Sequence, residues 1–112
     1  MKKKAFETES HRSYTLLRLN FDKLDTQVSP QLKAEFLVIC RPPLKKLVVD
    51  MSAVKSCDSS GLSALLVAER MMRETKGEID LIVPNPDVRN LFRITQLEKV
   101  FTIHASAEAL NP

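Results

Sequence analysis

The chain has 112 residues, 17 Lys and Arg against 14 Asp and Glu, and a formal net charge of +3. That length allows one domain with a real core and little room for a second, and 44% hydrophobic with 28% charged residues excludes a disordered chain. No run of 18 apolar residues is present, so no membrane-spanning helix is expected, and no apolar stretch follows Lys2-Lys3-Lys4, so a secretory leader is not expected either.

Residues 3–9 and 13–19 read as a hairpin across the polar turn Glu9-Ser10-His11-Arg12. Its first arm is so weakly patterned that residues 1–8 also read as a mobile basic terminus. Residues 1–23 carry the whole positive surplus, six basic residues against three acidic, and the remainder is balanced. Basic character confined to one end is not the clustered stripe that nucleic-acid binding needs. With no Trp and a single Tyr, Tyr14, platforms for stacking bases are scarce as well.

Ser29-Pro30 reads as an N-cap followed by proline in the first turn. Leu32, Phe36, Ile39 and Cys40 then recur at helical spacing, and Pro42-Pro43 stops the helix at Arg41. Leu47-Val48-Val49, ending at Asp50, is a short β-branched run suited to a strand buried on both faces. Residues 54–57 either extend it or begin a second short strand. A helix is expected from Ser59 to Lys76, with Gly77 just past its end. Leu62, Leu65, Leu66 and Met72 form its buried stripe, and Glu69 stands four residues before Arg73 on the wet side. Ile79 to Val83 is a further strand. Asn85-Pro86-Asp87 opens a third helix with apolar face Val88, Leu91 and Phe92. Val100 to Ile103 is the last strand, and 106–110 a short terminal helix. The order is ββαβαβαβ(α), an α/β fold in which a mostly parallel sheet gains an antiparallel edge from the hairpin.

Cys40 and Cys57 stand far apart in sequence, outside any CxxC pair, with only His11 and His104 as further soft ligands. They read as reduced core thiols in a cytoplasmic protein, and no metal or other cofactor is expected.

The segment that carries chemistry is Asp50-Met51-Ser52-Ala53-Val54-Lys55-Ser56-Cys57-Asp58-Ser59-Ser60-Gly61-Leu62, which joins a buried strand to a helix. Asp58 is placed to cap that helix by accepting the N–H of Ser60 or Gly61. Ser59 then becomes the first helical residue, with its hydroxyl near solvent. Free N–H groups and the positive end of the helix dipole make this a place that tolerates a phosphate. Gly61 lowers helix propensity in the first turn, which points to something packed over it that a Cβ would block. The segment has neither the glycines of a P-loop nor the G-x-S-x-G of a nucleophile elbow.

In this setting the stretch from Leu47 to Phe101 resembles the STAS domain family, the fold of anti-sigma-factor antagonists. The resemblance rests on Val48-Val49-Asp50-Met51-Ser52, Asp58-Ser59-Ser60-Gly61-Leu62, Leu65-Leu66, Lys76-Gly77-Glu78, Val88-Arg89-Asn90-Leu91-Phe92 and Leu97-Glu98-Lys99-Val100-Phe101, with Leu24-Asp25 upstream. It implies a single STAS-like domain over 1–112, a mixed sheet of four to five strands with helices packed on it. It also implies that Ser59 is phosphorylated by a partner serine kinase of histidine-kinase-like ATPase fold, which is itself the anti-sigma factor. Unphosphorylated, such an antagonist binds the kinase and frees a sigma factor; a phosphatase acting on phospho-Ser59 resets it. Asp58, Ser59, Ser60, Gly61 and Leu62 map onto the partner-binding loop, and Asp25 onto a loop beside it. A monomer is the expected state.

The sequence departs from the family pattern at Asn20-Phe21-Asp22-Lys23, where a glycine often precedes the Leu-Asp loop, at Ser63, and at Gln96. Gln96 stands where a glycine is usual, so a positive φ there costs of order 1 kcal/mol. Two other readings remain. One is a STAS subunit of an ABC-type lipid transporter or of a signalling assembly, docking without phosphorylation. The other is a small enzyme with Ser59 as nucleophile, which lacks a visible base.

Overall fold

The computed structural model describes residues 4–110. In chain order the elements are β1 (Phe6–Ser10), β2 (Thr15–Leu19), β3 (Lys23–Leu24), α1 (Ser29–Ile39), β4 (Lys46–Asp50), β5 (Ser56–Cys57), α2 (Ser59–Glu74), β6 (Glu78–Ile82), α3 (Pro86–Ile94) and β7 (Thr102–His104). Single 3-10 turns occupy Leu97–Lys99 and Ala107–Leu110. Residues 1–3 of the basic start lie outside the described residues; from Phe6 the chain is already in β1.

Five strands form one sheet in the order β1-β2-β4-β6-β7. The hairpin pair β1–β2 is antiparallel, and the other three pairings are parallel, as crossover helices require. Alternation along the strands sorts side chains onto two faces. Leu17, Leu19, Leu47, Val49 and Leu81 face Leu32 and Phe36 of α1 and Leu62, Leu65 and Met72 of α2, in one continuous core. Leu16, Val48 and Ile82 form a smaller cluster on the other face, with Tyr14 against it. Leu47, Val48 and Val49 are fully buried, which is why this strand is an unbroken apolar run. The flanks of the smaller cluster are polar. Arg18 bridges Glu9 (2.7 Å) and Asp50 (3.3 Å), and the Asp80 carboxylate takes both His104 (2.8 Å) and Lys46 (3.5 Å). Both aspartates are buried, and pairing is what makes their burial tolerable. Among the described residues no helix is long and apolar enough to cross a membrane.

Several local expectations are corrected. Val28, not Ser29, is the N-cap of α1; Ser29 is its first residue and makes no cap bond to the helix. The helix stops at Ile39, two residues before Arg41. Leu66 is 37% exposed, because it falls at the edge of the buried stripe of α2. The last strand is Thr102–His104 rather than Val100–Ile103, since Leu97–Lys99 forms a 3-10 turn that carries Val100 outward. Two strands of two residues each, β3 and β5, pair in parallel away from the main sheet.

The end of α2 also differs. The helix stops at Glu74 with Thr75 as its cap, and Lys76, not Gly77, takes the left-handed conformation at φ 58°. Lys76 N–H donates to Arg73 O (3.0 Å) and Gly77 N–H to Met72 O (2.7 Å), a Schellman closure. Gly77 is needed for another reason: a Cβ there would stand 2.8 Å from Met72 Cε and 3.0 Å from Lys45 O. Gln96 is the second left-handed residue, at φ 62°, as the missing glycine suggested.

Lys76 is exposed and its side chain bonds nothing among the described residues. Lys76→Gly should therefore relieve left-handed strain of about 1–2 kcal/mol against a flexibility cost of about 0.5–1 kcal/mol. The expected result is a higher urea midpoint, equivalent to a net stabilisation of about 0.5–1 kcal/mol, with an unchanged slope. A lowered midpoint would contradict this account of the turn.

Candidate functional site

The chain leaves β4 at the carboxyl end of the sheet, the end where α/β proteins commonly meet ligands and partners. Asp50 Oδ1 closes the first turn by accepting the N–H (2.9 Å) and hydroxyl (2.5 Å) of Ser52. Met51 and Val54 plug the turn into the core. The segment is then stitched to the loop after β2: Lys55 and Ser56 N–H both donate to Asp22 O (2.7 and 3.1 Å), and Asp58 N–H donates to Leu24 O (3.1 Å). These bonds flank the β3–β5 pairing, so two segments some thirty residues apart form one rim.

On this rim Asp58 is the N-cap of α2, extended at φ −105° and ψ −175°, and its Oδ1 accepts the Gly61 N–H (3.0 Å). The same oxygen accepts the Ser60 hydroxyl at 2.6 Å. The Ser60 hydroxyl, and next the Gly61 N–H, hold the Asp58 carboxyl below its ordinary range.

The two adjacent serines are thereby separated. Ser60 is half-buried, bonded to Asp58, and its Oγ lies 3.0 Å from Ser29 Oγ. Ser29 in turn donates to Asp25 O at 2.6 Å. Each hydroxyl has one proton, so two of these three contacts carry a hydrogen bond at a time. Ser59 is exposed, and its hydroxyl has no partner among the described residues.

Asp25 is half-buried at the start of the neighbouring loop. Its carboxylate closes its own turn by accepting Gln27 N–H (2.9 Å). Its carbonyl accepts the N–H groups of Val28 (3.1 Å) and Ser29 (2.9 Å). Leu32 N–H, one of the donors a Ser29 cap would take, goes instead to Val28 O (3.0 Å), and the Ser29 hydroxyl, bonded to Asp25 O, lies against Ser60. After the segment Asn20–Lys23, Leu24 O takes the Asp58 N–H (3.1 Å), so Asp25 directly follows a residue bonded to Asp58.

Gly61 meets its expectation. A Cβ on it would stand 2.6 Å from Leu24 Cγ, 2.9 Å from Leu24 O and 2.9 Å from Cys57 Sγ. Two of the residues expected at the binding surface, Gly61 and Leu62, are buried. Two and three positions into α2, they turn toward Leu24 and the core, so they shape the rim rather than forming its outer surface. Cys57 is half-buried rather than core, and burial, reinforced by Asp58, pushes its thiol up to about 12; burial alone takes Cys40 to about 11. Neither thiol is an activated nucleophile at neutral pH.

Sequence reading missed the link from Ser29 to Ser60 and the pairing of β3 with β5. Two-residue strands carry no periodicity, and a hydroxyl that faces another helix has no signal in its own neighbourhood.

Residues 5–110 match the STAS domain family. The chain belongs to that family. Among its relatives, BtrV of Bordetella bronchiseptica is 26% identical over 83% of this chain and 90% of that one. The anti-sigma F factor antagonist of Paenibacillus polymyxa is 27% identical over 88% of this chain and 84% of that one. The anti-sigma factor antagonist SpoIIAA superimposes in its unphosphorylated form with TM-score 0.71, at 22% identity over 94% of this chain and 92% of that one. The phosphorylated form of SpoIIAA from Bacillus gives the same TM-score, 0.71, at 24% identity over 95% and 96%. Within this STAS domain, the rim of Asp25, Asp58, Ser59 and Ser60 is the place where an exposed hydroxyl meets a rigid helix start.

Two variants test how the rim is held. Gly61→Ala gains about 1 kcal/mol of helix propensity, but one of the atoms in its way is a backbone carbonyl that cannot swing aside. Overpacking of about 1–3 kcal/mol should win, lowering the urea midpoint and shifting the amide signals of residues 24–28. Stability equal to wild type with unmoved signals would remove the close approach as the reason for glycine. Asp58→Ala should lower stability at neutral pH. Because the folded carboxyl is held below its unfolded value, its contribution is complete above the unfolded value of about 3.9 and is lost as pH falls through the folded one. The gap between wild type and variant should therefore close under acid, and a gap independent of pH would contradict the cap.

Proposed function

We propose that this STAS domain is an anti-sigma-factor antagonist switched by phosphorylation of Ser59. Unphosphorylated, it binds an anti-sigma serine kinase of histidine-kinase-like ATPase fold and so frees a sigma factor. Phosphorylation by that kinase releases it, and a phosphatase acting on phospho-Ser59 restores it. The chemistry is done to this protein rather than by it, in the cytoplasm.

The observation that carries the reading is the division of labour between the two serines. Ser60 is held by Asp58 and faces Ser29, whereas the Ser59 hydroxyl is exposed and unpartnered among the described residues. A kinase can reach Ser59 without breaking a bond of the fold. Neither histidine serves Ser59 as a base: His104 is paired with Asp80, and His11 stacks on Tyr14. The names of the Paenibacillus relative and of SpoIIAA support the antagonist role.

Magnitudes favour a switch that spares the fold. A phosphate adds about −1.5 to −2 charge. At the α2 N-terminus this gains about 0.3–1 kcal/mol from the helix dipole. The exposed Asp58 carboxylate, one residue away, acts in the opposite direction. At a closed interface the balance differs. Two like charges about 4 Å apart cost roughly 4 kcal/mol at an effective dielectric of 20, close to a thousandfold in affinity.

Incubation with the cognate kinase and ATP should place phosphate on Ser59, and Ser59→Ala should abolish it while Ser60→Ala does not. Ser59→Asp should melt within about 4 °C of wild type, a change of under about 1 kcal/mol, yet lose kinase binding by about a hundredfold or more. Phosphate on another residue, or a Ser59→Asp protein that binds normally, would end this account. Stable co-purification with a transporter ATPase, unphosphorylated, would replace it with the transporter reading.

A further inference from the structure

At the end of the sheet opposite Ser59 lies a groove of about 530 Å³, between the β1–β2 turn and the segment joining α1 to β4. The volume falls within the usual range of small-molecule sites, roughly 300–1,000 Å³. Its charges are of one sign. Arg12, Arg41 and Lys45 line it and no acidic side chain does. Among the described residues none of the three forms an ion pair, whereas Arg18, Lys46 and Arg73 are each bonded to a carboxylate.

Two of these cations are held in place without being neutralised. Arg41 Nε donates to Leu37 O (3.2 Å), and its terminal guanidinium nitrogens have no acceptor among the described residues. Lys45 Nζ donates once, to Thr75 O (3.1 Å), from an ammonium that has three protons. Arg12 has no hydrogen bond from its side chain among the described residues. Beside the cations stands an apolar wall of Pro42, Pro43 and Leu44. Tyr14 lines the groove as well, stacked on the His11 ring at 4.5 Å between centroids, 16° from parallel, with the Glu9 carboxylate 3.2 Å from His11 Nε2 on the groove's margin. The two segments are each closed by a backbone bond, His11 N–H to Tyr14 O (2.8 Å) and Leu44 N–H to Arg41 O (2.9 Å), so the groove does not depend on a ligand for its shape.

The geometry points to a binding site for a small anion with a flat apolar body, an aromatic carboxylate or aryl phosphate. Its head group is taken by Arg12 and Arg41 in charge-assisted hydrogen bonds, and its ring lies against the Pro42-Pro43-Leu44 wall, beside Tyr14. Lys45 adds long-range attraction. The site is independent of the Ser59 switch and stands whether or not that proposal does.

The test is titration of the isotope-labelled full chain with 1-naphthyl phosphate and 2-naphthoate, followed by amide NMR. Saturable shifts are expected at Arg12, Tyr14, Arg41 and Leu44, with a dissociation constant about millimolar or tighter, while the amides of Ser59 to Leu62 stay in place. Removing one charged partner should weaken binding by about tenfold. Arg12→Gln is the decisive variant, because this side chain bonds nothing in the fold and its loss cannot be confused with unfolding; Arg41→Gln should act in the same direction. Neutral 2-naphthylmethanol and inorganic phosphate separate the two halves of the recognition, and both should bind at least about tenfold more weakly than 1-naphthyl phosphate. Absent shifts, unchanged affinity in Arg12→Gln, or equal binding of either control would each overturn the proposal.

Discussion

The close approach of Leu24 to the first turn of α2 is the constraint on which the rest of the rim depends. Its carbonyl accepts the Asp58 N–H, and both its carbonyl oxygen and its side chain occupy the space a Cβ on residue 61 would need. A chain that must pass this near a helix start needs glycine there, at some cost in helix propensity. In return the loop after β2 becomes part of the same rigid body as the α2 N-terminus. β3 and β5 are too short to be stable alone, but they lie between this contact and the paired bonds to Asp22 O, so their pairing is enforced from both ends.

That rigidity matters for a residue whose hydroxyl has no partner among the described residues. Ser59 is not held by its own side chain; it is held because Asp58, Ser60 and Gly61 around it are. The Asp58 carboxylate satisfies a helix-end donor and the Ser60 hydroxyl with one oxygen, and the Ser29 hydroxyl lies against Ser60 from the start of α1. Charge added at Ser59 then meets a preformed surface whose helix dipole favours it and whose neighbouring carboxylate opposes it.

Asp22, Asp25 and Asp58 stand where the parallel strands end, with Lys23 and Lys55 among them. Arg12, Arg41 and Lys45 gather where those strands begin, and two of them bond carbonyls at the ends of α1 and α2. The positive surplus placed by sequence in residues 1–23 contributes Arg12 to this end, but Arg41 and Lys45 come from the balanced remainder. A charge count along the chain could not bring them together.

What the sequence determined by itself is what is local in physics. The Leu47-Val48-Val49 run needs no partner to declare a buried strand, Pro42-Pro43 none to end a helix, and Asp58 none to begin one. The spacing of Glu69 and Arg73 already implied their ion pair, which forms at 3.2 Å. Gly61 announced a close neighbour without naming it, and Gln96 announced a strained turn because glycine was missing. What only tertiary structure decided is every contact made across the chain: that the neighbour of Gly61 is Leu24, that Ser29 turns to Ser60 instead of capping its own helix, that Leu62 is buried while Ser59 is exposed. Lys76 rather than Gly77 takes the left-handed turn, while a Cβ on Gly77 would press on Met72 Cε and Lys45 O, contacts that only the folded chain creates. Periodicity and caps act within a few residues and can be read in order; steric exclusion between distant segments exists only once the chain has brought them together.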